Sequence, residues 1–448
     1  MAKSDLMDKL VSLTKRRGFI FRSSEIYGGA GAVWDYGPLG VELKRNIKDR
    51  WWQSMVHQRA DIEGLDASIL MHPRVWEASG HVEGFTDPLV ECRTCKKRFR
   101  QDQLDEQACG RKPSVSPGGH DECDLTDPRQ FNLMFRTFMG PVEDDASTVF
   151  LRPETAQGTY VNFLNIQTAA RQKVPFGAAQ IGKAFRNEIT PGNFIFRTRE
   201  FEQAEMQFFV QPGTDDEWFE FWRDERLRWC HEELGLRREK LRFQEHGPDE
   251  LAHYAKQAVD IEYEFPFGWK EFEGIHNRTD YDLKRHEEFS GKKLQYVDPG
   301  GGDRFIPYVV ETAAGVDRAV LAVLSDAYRE ETVEGEERVV LAIHPAIAPV
   351  KAAVFPLVKK DGMPEIAGRL ADDLHAAAVP SFYDESGSIG RRYRRQDEAG
   401  TPWCVTVDGQ TVEDGTVTIR DRDTLEQHRL EASRVAEWIH ERLRAQDG

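Results

Sequence analysis

The stretch from Ala179 to Val210 holds the residues best suited to chemistry: two cations, Arg186 and Arg197, two carboxylates, Glu188 and Glu205, and the ring of Phe201. Guanidinium forks match phosphate oxygens, a ring stacks on a base, and a carboxylate accepts from an exocyclic amine, so the set suits a nucleotide. Alternation predicts two strands joined by a long turn. Gln180, Gly182, Ala184, Arg186 and Glu188 share one face of the first, and Phe201, Gln203, Glu205 and Gln207 share one face of the second. Pro191, Gly192 and Asn193 supply the turn. The competing reading is an antiparallel hairpin with one solvated, charged face.

Three further groups carry chemistry. Glu271 and Glu273 alternate to one side of a short strand and could hold Mg²⁺ bridging phosphates. Tyr308 to Leu324 reads as strand, glycine turn, helix, with Arg318 on the first turn of a largely apolar helix, where a lone arginine needs a reason. Cys92-x2-Cys95 and His120-x2-Cys123 have the knuckle spacing of a structural zinc site, with Cys109 as a substitute ligand. A bound metal would explain how so polar a segment, residues 74–129, folds without a core. Disulfides are not expected in a chain that reads as cytoplasmic.

The elements that must position these groups follow from pattern and composition. A chain of 448 residues suggests roughly two to four domains. No run of residues could cross a bilayer: the least polar, Val339 to Val358, is broken by His344, three prolines and Lys351, and reads as a buried strand plus connector. The first ten residues lack an apolar run and a cleavage site. A net charge of −17 argues against nonspecific nucleic-acid binding over the whole surface and no DNA partner is expected, although basic clusters stand at Lys15 to Arg17, Lys96 to Arg100 and Arg391 to Arg395. Leu6, Leu10 and Leu13 mark a first helix, and Pro38 opens a second over 39–59. Asp215 to Leu236 is a helix with core aromatics, and 210–265 reads as a second insertion. Tyr328 to Arg338 is an acidic linker. Beyond it strands at 339–343, 380–383, 403–407 and 416–420 alternate with helices near 364–378 and at the C-terminus, a small α/β domain. Arg391 to Arg395 falls between strands, where loops bind ligands.

Phe185, Arg186, Asn187 and Glu188, a loop, then Arg197 and Phe201 resemble motif 2 of the class II aminoacyl-tRNA synthetases. The segment around Gly315 and Arg318 resembles motif 3, and the helix after Pro38 with the run Asp66 to His72 is similar to motif 1, which forms the dimer interface in that superfamily. Glu25-Ile-Tyr-Gly-Gly followed by Trp34-Asp-Tyr-Gly-Pro-Leu-Gly looks like the opening of glycyl-tRNA synthetases of the homodimeric type. Gly387 to Tyr393 and Gly400-Thr-Pro resemble the anticodon-binding domain of that subgroup. Threonyl or prolyl synthetases would share motifs 2 and 3 but not the opening, and a noncatalytic DNA-polymerase accessory relative would not need the arginines.

The resemblance implies an α/β (α+β) chain: an antiparallel-sheet catalytic domain at 1–335, interrupted by the cysteine-containing insert, and an anticodon-binding domain at 336–448. It implies a homodimer that joins glycine to ATP and then to the 3′ end of glycine tRNA. ATP would meet Arg186, Asn187, Glu188, Phe196, Arg197, Thr198, Arg199, Glu200, Phe201, Glu271, Phe272, Gly315, Val316, Asp317 and Arg318, with Mg²⁺ at Glu271. Glycine would meet Arg100, Glu154, Phe201, Glu202, Gln203, Ala204, Glu205, Glu311, Thr312, Ala313, Ala314 and Gly315. Arg278 would lie near the reaction centre, and Arg391 and Arg392 would contact tRNA. Two residues depart from the pattern: Ala313 stands where the family usually has serine, and His120 where a cysteine usually completes the zinc set Cys92, Cys95, His120 and Cys123.

Overall fold

The computed structural model describes residues 3–445 apart from 253, 299–301, 303 and 334. Its centre is a seven-stranded sheet in the order Leu241–Glu245, Gln257–Phe265, Gly268–Thr279, Tyr308–Gly315, Glu200–Val210, Phe176–Phe185 and Ile62–Gly64. All pairs are antiparallel except the last, where Ile62–Gly64 runs parallel to Phe176–Phe185. One face of the sheet is covered by the helices Pro38–Trp52, Asp215–Glu232 and Val316–Ala327, whose Leu43, Trp51, Trp222, Trp229 and Leu321 interleave with Phe208, Ile261 and Ile275 from the strands. With that face sealed, the polar residues that alternate along the same strands turn to the opposite side.

Pro38 stands in the first turn of its helix, as expected from its fixed φ, and the α-helix ends at Trp52, continuing only as a π-helical turn over Gln53–His57. The run 66–72 lies outside the sheet: the sheet strand is Ile62–Gly64, and within the run Leu70 makes a bridge to Leu151. The carbonyls of Ala67 and Ser68 accept from the Arg152 guanidinium instead of from a neighbouring strand. The segment 210–265 supplies one helix and two strands of the main sheet. In the insert, Thr86–Glu91 pairs with Arg98–Arg100 and Arg129–Asn132.

The acidic linker expected at 328–338 is instead a hairpin, Tyr328–Val333 against Glu336–Leu341. Its charges alternate with residues that pack inward, and Arg338, which composition alone would leave in solvent, is buried and bonded through Nε and Nη2 to Asp397. The C-terminal sheet has the order Ser381–Tyr383, Ala352–Pro356, Trp403–Val407, Thr416–Asp421, Gln427–Glu431, parallel across the first three strands and antiparallel across the rest. Its second strand, Ala352–Pro356, lies inside the stretch read as connector, because a five-residue fully buried strand shows no alternation. Helices Met363–Ala376 and Val435–Arg444 pack on one face, Ile389–Ala399 on the other.

Among the described residues no helix is long and apolar enough to cross a membrane.

Candidate active site

The ladder between Glu200–Val210 and Phe176–Phe185 pairs Phe201 with Ala184, Gln203 with Gly182 and Glu205 with Gln180, so the two expected faces meet in register. They line a cleft of about 340 Å³ on the open side of the sheet. Arg186, Glu188, Phe196, Arg197, Thr198, Phe201, Glu271, Gly315, Asp317 and Arg318 line it, as do Arg100, Glu154, Glu202, Gln203, Glu205, Arg278, Glu311 and Ala313.

The cleft has two chemically distinct ends. At one, Arg186 lies between the rings of Phe85 and Phe201, with Cζ 5.3 and 5.4 Å from their centres, and its Nε donates to the carbonyl of Pro153 at 3.1 Å. Arg197 donates to Gln103 Oε1 at 2.7 Å, and Arg318 lies over the Phe196 ring, 2.9 Å from Glu271 Oε2. Glu271, about half open to solvent, is held down to about 2 by the Arg318 charge. Glu188 is buried, and its Oε2 has no hydrogen-bond partner among the described residues.

At the other end three carboxylates converge. Glu154 accepts from Gln157 Nε2 at 2.8 Å and lies 3.4 Å from His81 Nε2. Glu311 accepts from Gln207 Nε2 at 2.8 Å and Arg278 Nη1 at 3.0 Å, with His276 Nδ1 also 3.0 Å away. Glu205 accepts from the Thr155 hydroxyl and from Gln203 Nε2. Burial acts on all three, but with opposite results. For Glu154 and Glu311 the desolvation is outweighed by His81, Arg278 and His276, leaving Glu154 far below the carboxylate range and Glu311 at about 2. Glu205 has no ion pair among the described residues, and burial together with the charges of Glu311 and Glu154 outweighs the Thr155 hydroxyl and Arg278 and pushes it up to about 8. Arg278 is fixed by a two-pronged contact with Asp282, at 2.8 and 3.0 Å, and by the Tyr254 ring 3.9 Å from its Cζ.

Several expected residues stand elsewhere. Ala204, Thr312 and Ala314 lie on the alternate face of their strands, and Val316 is in the helix-side core, so runs of consecutive residues overstate the lining. Phe272 is the unpaired residue where Glu271 faces Glu262 and Glu273 faces Ile261. This bulge turns Phe272 into the core and separates the two acids: Glu271 enters the cleft, whereas Glu273 is buried against Arg226 at 2.6 Å. The pairing of Glu271 with Glu273 around one metal is therefore corrected. Asn187 and Arg199 hold backbone: the Asn187 N–H donates to Leu133, and the Arg199 guanidinium donates to Gly31 and Glu188. Glu200 pairs with Lys183 behind Phe201. The carboxylate of Glu202 is taken by Lys44 and Lys48. Phe85, Asp87, Tyr254 and His276 also line the cleft without having been singled out from the sequence; His276 shared the strand alternation of Arg278, while Tyr254 sits in a loop with no periodic signal.

In the insert, Cys109, His120 and Cys123 bring their ligand atoms within 4.8 Å of one another, and Cys92 Sγ lies 3.6 Å from Cys123 Sγ. Cys109, the substitute ligand, thus joins His120 and Cys123, while the Cys95 N–H donates to Cys92 Sγ. In the C-terminal sheet domain, Arg391 is exposed, but Arg392 is not a surface cation: it is buried on the helix Ile389–Ala399 and donates to the carbonyls of Pro356 and Gly387. A helix, not a loop, carries the arginine cluster, and it turns Arg392 inward.

Residues 141–327 match the family model described as the tRNA synthetase class II core domain (G, H, P, S and T), and residues 351–442 match the anticodon binding domain. A glycine–tRNA ligase of Treponema denticola is 58% identical over 431 residues, covering 95% of this chain and 94% of its own length. Those of Caldanaerobacter subterraneus and Thermobifida fusca are 54% and 52% identical, over 98% and 99% of each chain. The chain belongs to the glycine–tRNA ligase family of class II aminoacyl-tRNA synthetases.

Proposed function

We propose that this protein activates glycine with ATP and transfers it to the terminal adenosine of glycine tRNA. One observation carries the reading: a single cleft with aromatic rings and arginines at one end and three buried carboxylates at the other. Phe201 stacks on adenine, and the unpartnered Glu188 Oε2 accepts from its amino group. Arg186 holds the α-phosphate, Arg197 and Arg318 the distal phosphates. Glu154, Glu205 and Glu311 surround the glycine ammonium, and Arg100 reaches the cleft from the insert, where Asp87 and Asp102 hold it. No protein nucleophile is needed, because the glycine carboxylate attacks the α-phosphorus and the chain supplies positioning and charge. Glycine offers no side chain to grip, so a cramped pocket selects by exclusion.

Mg²⁺ fits the phosphate end, where Glu271 is the carboxylate within reach; one acid plus phosphate oxygens suits this ion. When bound it neutralises the departing pyrophosphate. Zn²⁺ fits Cys109, His120 and Cys123 with Cys92, since their spacing suits tetrahedral ligation and the metal would anchor the insert. Arg391 is the cation of its cluster that stays open to tRNA. Two copies would associate through the helix Pro38–Trp52 and the following extended run, and the protein would work in the cytoplasm with its tRNA. The domain boundaries 1–335 and 336–448 stand as part of this reading.

Glycine-dependent exchange of pyrophosphate into ATP tests the activation step. Exchange with glycine and not with threonine or proline is expected; its absence in the folded protein would refute the assignment.

A further inference from the structure

The strand Glu200–Val210 is held unevenly. From Gln203 to Phe209 it has ladder partners on both sides, but its pairing with Tyr308–Gly315 begins only at Gln203, because that neighbour turns into the helix Val316–Ala327. Glu200, Phe201 and Glu202 therefore extend past one edge of the sheet. There the Asp317 carboxylate replaces the missing strand: its Oδ2 accepts the backbone N–H of Glu202 at 2.9 Å. Its Oδ1 accepts from Lys44 Nζ at 2.8 Å and from the Tyr36 hydroxyl. Lys44 reaches back to Glu202 Oε2 at 2.7 Å, and Lys48 meets the other oxygen at 3.1 Å.

This cluster is nearly closed to solvent, with the Lys44 side chain 9% and that of Asp317 10% exposed. Burial works against the Lys44 ammonium, but Asp317 and Glu202 more than offset it, so the pair of acids keeps it charged. Burial and the Asp317 charge push the Tyr36 hydroxyl well above its ordinary value, so it stays a donor. Without the Lys44 charge, the Asp317 and Glu202 carboxylates, both largely withdrawn from solvent, would face each other with Lys48 still paired to Glu202.

We propose that Lys44 is a positioning residue for the nucleotide: by binding Asp317 and Glu202 together it sets the separation of Phe201, which precedes Glu202, from Arg318, which follows Asp317. The inference rests on the reading of Phe201 and Arg318 as the adenine and phosphate contacts. The carboxylate end does not depend on this cluster, since Glu205 and Glu311 sit where the ladders are complete on both sides. Loss of the clamp should therefore separate the two substrates.

The test compares the unaltered protein with Lys44→Met, measuring ATP and glycine affinities by direct titration and both KM values in pyrophosphate exchange, with the melting temperature as control. ATP affinity is expected to fall roughly ten- to a hundredfold, the scale set by misplacement of about 1 Å, while glycine affinity stays within about twofold. Tyr36→Phe deletes a single hydroxyl from the cluster and is expected to shift ATP in the same direction by less; it decides the matter where Lys44→Met does not fold. Equal losses for ATP and glycine, or unchanged ATP affinity in the folded variants, overturn the proposal. The titrations hold whether or not glycine is turned over, so failure of exchange in the unaltered protein refutes the activity without touching this inference.

Discussion

Replacing Glu205 by glutamine should make the ligand-free protein more stable at alkaline pH and much poorer at holding glycine. Glu205 is buried, and burial plus the neighbouring charges of Glu311 and Glu154 raise it from 4.5 to about 8. The folded protein therefore keeps that proton between pH 4.5 and about 8, where the unfolded chain has lost it, and stability falls as pH rises across the window. At about 1.4 kcal/mol per pH unit, the wild type loses roughly 3 kcal/mol by pH 7 and 4–5 by pH 8 through this one group. Glutamine carries no such charge, and its amide can still accept from Thr155. Thermal unfolding of both proteins at pH 5.5 and 8.0 checks this: the variant should gain a few degrees on the wild type at pH 8.0 and little at pH 5.5. An ammonium among the three acids reverses the balance, so glycine binding near pH 7 should release up to about one proton, read by calorimetry in buffers of different ionisation enthalpy. The glycine KM of the variant should rise severely. A melting difference that does not change with pH, together with unchanged glycine KM, would refute the carboxylate cage.

Arg186→Ala should abolish adenylate formation with the fold intact, a loss of about 2–4 kcal/mol in transition-state stabilisation read by exchange kinetics; near-normal exchange would remove Arg186 from the site. Ala313→Ser places a hydroxyl on the strand position directly opposite Glu205 and should tighten glycine by about 0.5–1.5 kcal/mol, measured as KM. Cys109→Ser should abolish zinc uptake by the insert, read by elemental analysis, whereas Cys95→Ser should leave it; the reverse would restore the knuckle pairing. Arg391→Ala should raise the tRNA KM and flatten its salt dependence while sparing glycine–ATP exchange, and equal loss in both reactions would point to a structural role.

The hairpin at the site was legible because alternation held over both of its strands, and the same rule placed Gln203 and Glu205 correctly. It failed where one residue was added: Phe272 bulges out, and Glu271 and Glu273 part to opposite faces. Arg392 and Arg338 were misjudged for a shared reason. Each is an arginine whose guanidinium is satisfied inside the protein, by the carbonyls of Pro356 and Gly387 for one and by Asp397 for the other, and composition gives no sign of such partners. Tyr254 was invisible because its contribution comes from a loop residue stacked on Arg278 of the strand Gly268–Thr279.

The two ends of the cleft are built by different means, and that difference explains what can be read from sequence. Glu205 and Glu311 project from strands with neighbours on both sides, so period and register place them. Arg186, Arg197, Phe201 and Arg318 stand where strands end or turn into loops and a helix, and there the sheet no longer pairs them on both sides. Side chains take over: Pro153 and Phe85 hold Arg186, Gln103 holds Arg197, and Asp317 with Lys44 holds the Phe201 end of its strand. Such supports come from distant parts of the chain, with Gln103 contributed by the insert and Lys44 by the second helix. A motif names the residues that touch the nucleotide, but the residues that hold them in place become visible only when the chain is folded.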